Sequence, residues 1–230
     1  MWRLSLRRGI IASLFLVTGC SFESTELVGP SWGGDMRGSG VLTTESRDVG
    51  GFTGVTVSGA AHLILEQSGT ESLRITAEDN ILPLLSSEVV GGQLVLGTVG
   101  GTSISPTREI VYHVTCRDLS AVSLSGAVRA DLEGIDTDLL EVALSGATHL
   151  TAAGRVDRLR VSASGTSRID ARDLESRTSR IDVSGTAWAT VRVSESLEAH
   201  ASGASIIEYI GNPAVSFSVS GTAVVRQIGG

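Results

Sequence analysis

Val142-Ala143-Leu144-Ser145-Gly146-Ala147-Thr148-His149-Leu150 is one copy of a repeat, and that repeat decides the fold. The Ser-Gly pair returns at Ser125-Gly126, Ser145-Gly146, Ser164-Gly165, Ser184-Gly185, Ser202-Gly203 and Ser220-Gly221, spaced by 20, 19, 20, 18 and 18 residues. An outlying copy stands at Ser58-Gly59. A period near twenty makes each copy a unit too small to bury its own apolar face, so copies must stack. Around each pair the side chains alternate with the period of a strand. Taking the residue before Ser as inward gives Val122/Leu124/Val128, Val142/Leu144/Leu150, Val161/Ala163/Ile169, Ile181/Val183/Ala187 and Phe217/Val219/Ala223. The outward phase is Ser123/Ser125/Arg129, Ala143/Ser145/His149, Ser162/Ser164/Arg168, Asp182/Ser184/Trp188 and Ser216/Ser218/Ser220. Each Gly then falls on the inward phase, as expected of a corner with no room for a side chain.

These constraints predict an all-β fold, a right-handed single-stranded parallel β-helix with coils of 18–20 residues. Equivalent strands would stack about 4.8 Å apart, and parallel crossovers are right-handed in about 98% of cases. A twisted prism or a sandwich of hairpins satisfies the same pattern. Before residue 119 the spacing is mixed and predicts a less regular β portion. Strands are expected around Val55–Glu66, Leu73–Ala77, Gln93–Leu96 and Ile110–Cys116, with a short helical turn near Asn80–Glu88.

Composition agrees with this reading. Apolar residues make up 41% of the chain but aromatics only 4%, and 28 residues are Gly, so Val, Ile, Leu and Ala must fill the interior. All 18 basic residues are Arg, which removes Schiff-base lysine chemistry and lysine-dependent phosphate loops. From Cys20 onward there are 15 basic and 25 acidic residues, a net charge of −10. A surface that acidic repels phosphate backbones, so nucleic acid is not an expected partner.

Arg3, Arg7 and Arg8 precede an apolar run, Gly9–Val17, that is too short to span a bilayer. It ends in Leu16-Val17-Thr18-Gly19-Cys20, which resembles the bacterial lipobox. The resemblance implies a lipoprotein signal peptide over 1–19 and a lipidated Cys20 as the mature N-terminus. Several acyl chains, at about 0.8 kcal/mol per buried CH₂, hold a protein firmly to a membrane. Ser21, in place of Asp, implies sorting to an outer membrane. The alternative is an ordinary secretory signal with an incidental Cys. Residues 20–48, with Gly29-Pro30, Gly33-Gly34, Gly38 and Gly40, read as a flexible tether, and 49–230 as the folded domain. With Cys20 lipidated, Cys116 has no disulfide partner, and its phase with Ile110, Tyr112 and Val114 predicts a buried, inert thiol.

Gly51-Phe52-Thr53-Gly54-Val55-Thr56-Val57, Leu94-Val95-Leu96, the serial Val-x-x-Ser-Gly repeats and Tyr209-Ile210-Gly211-Asn212-Pro213 form an ordered set. Over about residues 49–228 this set resembles the auto-transporter adhesin head GIN domain family, DUF2807. The resemblance implies a β-helical domain on exported, often lipid-anchored bacterial proteins, and it supplies no catalytic residues. Repeats here often read Ser-Gly-Ala or Ser-Gly-Thr where that family often has a further small Ser or Gly.

Three residues after each Gly lies an outward column, His62, Arg129, His149, Arg168, Trp188, Ile206 and Val224. Two residues further on are Asp131, Thr151, Asp170, Thr190, Glu208 and Arg226. Arg129, His149, Arg168 and Trp188 are the candidate ligand-facing residues, since Trp stacks on sugar rings and Arg and Asp bridge hydroxyls or uronates. The plainer reading is a solvated face with cross-rung ion pairs of about 0–1 kcal/mol each. Catalysis is disfavoured. Asp131, Asp136, Asp138 and Glu141 supply carboxylates for a polysaccharide lyase or hydrolase, but Asp136 and Asp138 read as turn residues. The repeated Ser is not a nucleophile motif, since none of its copies stands in a Gly-x-Ser-x-Gly sequence. His62, His113, His149 and His200 lack metal-ligand spacing, so neither metal nor cofactor is expected. The favoured function is a non-enzymatic envelope module, adhesion-like or structural. Its expected partners are the membrane, through lipid, and glycans or envelope proteins. The alternative is a carbohydrate-active enzyme.

Overall fold

Each Ser-Gly pair sits directly on the one before it. Gly146 has φ 88°, and a Cβ placed on it would lie 2.6 Å from the carbonyl oxygen of Gly126. The same overlap recurs at Gly126 on Gly59, Gly165 on Gly146, Gly185 on Gly165, Gly203 on Gly185 and Gly221 on Gly203. Those carbonyls are not idle. Gly126 O accepts from Ala147 N at 2.8 Å, Gly146 O from Thr166 N at 2.9 Å, and the pattern repeats for Thr186, Ala204 and Thr222. The glycines themselves are exposed at a corner. This corrects the inward placement: the obstacle to a side chain is the backbone of the neighbouring corner, not the core.

The computed structural model describes residues 35–230. In order the strands are β1 (Met36–Arg37), β2 (Leu42–Arg47), β3 (Gly54–Gln67), β4 (Ser72–Glu78), β5 (Leu85–Val90), β6 (Gln93–Thr98), β7 (Ile104–Ser105) and β8 (Val111–Cys116). Then come β9 (Ala121–Gly146), β10 (His149–Ala163), β11 (Arg168–Val183), β12 (Trp188–Ala201), β13 (Ile206–Ile210), β14 (Ala214–Val219) and β15 (Val224–Gly229). Two single 3₁₀ turns, Leu82–Leu84 and Val99–Gly101, interrupt them, the first carrying Pro83 in its opening turn. Thirteen strands form one mixed sheet that does not close into a barrel.

From β3 onward the repeat dictates the pairing. β3 lies parallel to β9 with unbroken register from Gly54↔Ala121 to Glu66↔Glu133. β10, β11, β12 and β13 follow in parallel, and β14 and β15 pair with β12 and β13. The changes in repeat length are absorbed away from the Ser-Gly corner. Ala171 and Glu175 of β11 face the adjacent Val191 and Arg192 of β12, so the extra residues form a bulge there.

The inward phase is buried in every repeat but the last. Leu124, Leu144, Ala163 and Val183 are each no more than 3% exposed, while Phe217 and Val219, in the same phase, are 59% and 45% exposed. No described strand lies beyond β14 and β15 to cover them. Cys116 is buried, and burial first, then the charges of Asp118 and Glu71, push its thiol up to about 11, so it is unreactive as expected.

The N-terminal portion covers the other end of the stack with antiparallel strands. β4 pairs with β8 and β2, and β5 with β6, while β6 and β8 run parallel to β3. β2 lies inside the stretch expected as tether. Its Leu-Thr-Thr-Glu-Ser-Arg sequence shows no apolar alternation because it is an exposed edge strand. The rest of that tether, Cys20 and the expected signal peptide lie outside the described residues.

Glu78 ties this end together. Its carboxylate is 1% exposed and accepts from Gly40 N (2.6 Å), Thr107 N (2.8 Å), Thr107 Oγ1 (2.6 Å) and Arg108 N (3.3 Å). Burial alone would raise its pKa, but the donors outweigh that and hold it below the usual carboxylate range. A lowered folded-state pKa stabilises above the unfolded value and is lost as pH falls through the folded one. The midpoint of urea unfolding should therefore fall between about pH 5 and pH 3, and Glu78→Gln should flatten that fall. An identical slope in the variant would remove Glu78 from the acid response.

The corner and the core make a sharper pair of expectations. Leu144→Asp buries an unpaired carboxylate and should cost several kcal/mol by chemical denaturation, on the order of 3 or more. Ser145→Ala, exposed on the opposite phase, should leave the midpoint nearly unchanged. Gly146→Val should be as damaging as Leu144→Asp, since it meets both the positive φ and the Gly126 carbonyl. A mild Gly146→Val would dissolve the corner argument.

Candidate functional site

Parallel in-register pairing converts a sequence period into a column of side chains. His62 faces Arg129, Arg129 faces His149, His149 faces Arg168, Arg168 faces Trp188, Trp188 faces Ile206 and Ile206 faces Val224. Beside it run Asp131, Thr151, Asp170, Thr190, Glu208 and Arg226. All four candidate residues, Arg129, His149, Arg168 and Trp188, are thus adjacent on successive rungs, about 14 Å from first to last.

The two ends of this face are satisfied internally. At one end His62 Nε2 meets Asp131 Oδ2 at 2.7 Å, and Arg129 Nε stands 3.5 Å from the same oxygen. Burial raises the Asp131 pKa, but hydrogen bonds from His62 and Thr151 and the Arg129 charge bring it below the ordinary value. At the other end Trp188 Nε1 donates to Glu208 Oε2 at 3.2 Å, and Arg226 Nε donates to Glu208 Oε1 at 3.0 Å. The Arg168 guanidinium lies 4.9 Å from the Trp188 ring centroid. One face of the indole is therefore already covered within the protein.

The middle differs. Arg129 and Arg168 are exposed and flank His149, whose side chain bonds no described residue. Thr151 and Asp170 stand alongside, with Asp170 accepting from Arg172 Nε at 2.7 Å. Two arginines on rungs about 10 Å apart, with an imidazole on the rung between them, put cationic side chains on the face of an acidic protein, suited to carboxylate or sulfate groups on an extended ligand.

A second ladder, on the strand side before the Ser-Gly corner, was not singled out from the sequence. Arg160 Nη1 reaches Glu141 at 2.9 Å and Arg180 Nη1 reaches Glu198 at 2.9 Å across adjacent rungs. Applying the repeat period to charged residues alone would have found it. The pairs are half-exposed and solvent-screened.

The carboxylates considered for catalysis do not converge. Asp131 is held by His62, and Glu141 by Arg160. Asp136 lies within β9 rather than in a turn, its backbone bonded to Gln67. Asp138 is exposed two residues beyond Asp136 on the same strand, and neither is bonded to Asp131 or Glu141. Among the described residues no group of three His, Cys, Asp or Glu side chains is placed to hold a metal, and no helix is long and apolar enough to cross a membrane. A cavity of about 210 Å³ lies near the capped end, lined by Ala61, Leu85, Ile104, Pro106, Ile110 and Tyr112. It is smaller than the roughly 300 Å³ at which small-molecule sites begin.

A repeat-built, all-β domain with an in-register outward face defines the class. The chain belongs to the family described as "Putative auto-transporter adhesin, head GIN domain", whose model matches residues 51–213. Its fold is similar to that of a putative adhesin from Bacteroides fragilis, at 20% identity and TM-score 0.67, over 84% of this chain and 99% of that one. A putative adhesin from Parabacteroides merdae matches at 20% identity and TM-score 0.57, over 84% and 99%. One from Parabacteroides distasonis matches at 19% and 0.55, over 85% and 100%. At these identities the likeness establishes the fold. No curated protein matches the chain.

The Glu208 cluster yields a stability test of the face. Glu208 is 7% exposed, so Glu208→Ala removes the acceptor of the Trp188 N–H and the partner of the half-exposed Arg226, and should cost about 1–3 kcal/mol by denaturant titration. Glu141→Ala, in an exposed pair, should cost much less. Equal small effects would show that the Glu208 cluster is effectively solvated.

Proposed function

We propose that this chain is a non-enzymatic, lipid-anchored envelope module that binds an extended glycan or envelope partner across its outward column. The observation that carries this reading is the register. It sets Arg129, His149, Arg168 and Trp188 in line on successive rungs, and the central imidazole bonds no described residue. The family description supports a surface-binding role. The coils wind as a right-handed single-stranded parallel β-helix, a reading supported by the in-register parallel pairing and by the handedness of parallel crossovers. Glycans bearing uronate or sulfate fit the cationic centre better than neutral ones, because the exposed Trp surface is reduced by Arg168.

Glycan-array binding by the protein tests this directly. Arg168→Ala and His149→Ala should lose a glycan that the parent binds, with a nearly unchanged melting temperature, since both side chains face outward. A glycan bound equally by parent and variants would move the site off this face. Absence of any glycan ligand would leave a structural rod.

The anchor is proposed from the lipobox alone. Residues 1–19 would be removed, Cys20 acylated, and the domain held at an outer membrane through the following residues. Cys20→Ser should release the protein from the detergent phase of a phase-partition assay. Partitioning like the parent would rule the anchor out.

A further inference from the structure

The two ends of the stack are finished differently. At the N-terminal end the first repeat, β3, is covered by β6 and β8, and the sheet ends in β2, an antiparallel edge carrying Glu45 and Arg47. Arg47 bonds Glu45 Oε1 at 2.8 Å and the carbonyl of Leu85 at 2.8 Å. Charged and internally engaged edge residues discourage pairing with another chain.

Among the described residues, the C-terminal edge strand β14 carries no charged side chain. Among the described strands β14 pairs only with β12, and β15 only with β13. Their outer backbone groups form an open ladder, and Phe217, Val219, Val224 and Ile228 are exposed by 43–59%. The column explains why. Leu197, Ala199 and Ala201 in the preceding coil, no more than 3% exposed, face Val215, Phe217 and Val219. The last three have the same environment on one side and no described strand on the other. From Tyr209 to Val225 there is no charged residue. Arg226, the first one after it, is paired with Glu208 in its own sheet.

The edge strand is also symmetric. Val215-Ser216-Phe217-Ser218-Val219 reads the same in both directions. A two-fold axis through Phe217 sets two copies of β14 antiparallel, with Phe217 opposite Phe217, Val215 opposite Val219 and Ser216 opposite Ser218. Every apolar side chain then meets an apolar one and every hydroxyl a hydroxyl. A head-to-tail stack lacks this complement, because the opposite end presents β2 and not a parallel coil. A two-fold contact closes on itself, whereas a head-to-tail one propagates. The coil from Ile210 to Gly229 contributes 20 residues a side. That reaches the roughly 20–30 residues a side of a specific interface, with no charge to desolvate across β14. We propose that a second copy of this chain docks on the C-terminal edge, joined through β14 as a two-fold, end-to-end dimer whose core runs continuously through both copies.

The test uses the full chain carrying Cys20→Ser, so that no acyl chain adds its own association. Light scattering should give the mass of two chains at tens of micromolar. Phe217→Arg should halve that mass with an unchanged far-UV CD spectrum, because the side chain is exposed in the single copy. If Phe217→Arg fails to fold, cross-linking decides. A mixture of Ser216→Cys and Ser218→Cys chains should give a disulfide-linked pair under mild oxidation. Either variant alone should not, since like residues would then lie about 8 Å apart, beyond disulfide reach. A single-chain mass for the parent, a dimer that survives Phe217→Arg, or equal cross-linking by one variant alone would each overturn the proposal. So would an open-ended series of masses, which marks head-to-tail stacking. A single-chain mass with the edge shielded from solvent would assign it to the chain's own N-terminal residues.

Discussion

The Ser-Gly corner is the constraint on which the rest depends. At each corner the chain takes a positive φ and passes so close to the previous corner that a Cβ would overlap its carbonyl oxygen. The close approach is what lets that carbonyl accept the amide one repeat later. Steric exclusion and hydrogen bonding thus demand the same residue at the same place in each coil. The corners act as fixed pins, and differences in repeat length must be taken up elsewhere, as the bulge in β11 shows.

Pinning the corners locks the register on both sides of them. Inside, Leu, Val, Ile and Ala stack on their equivalents in the next repeat, which is how a core with few aromatics is built. Outside, the same register lines up whatever the sequence places three and five residues after each Gly. A column of this kind costs the fold little, because outward side chains are free to vary while the inward phase and the corners hold the structure. That division gives the face room to carry recognition chemistry.

Within the face, engagement separates structural from available side chains. Glu208 and Asp131 are each surrounded by donors, so the two ends of the column are largely spent on holding adjacent rungs. His149 between two guanidiniums is not. The sequence offered all four candidates on equal terms. It had no way to register that Arg168 lies over Trp188, because that contact depends on side-chain torsions across a rung.

The sequence alone determined the repeat, the strand phases, the buried thiol of Cys116 and the membership of the outward column, since all are functions of spacing along one strand. It misplaced the corner glycines and read β2 as tether. The glycine's obstacle is backbone twenty residues away, and an exposed edge strand has no apolar alternation to announce it. Only the tertiary structure decided which ends are closed. The difference between a covered edge at β3 and an open one at β14 lies in which strands happen to lie beside them. Local pattern cannot carry that information, because Val215-Ser216-Phe217-Ser218-Val219 has the same inward phase as the buried coils before it.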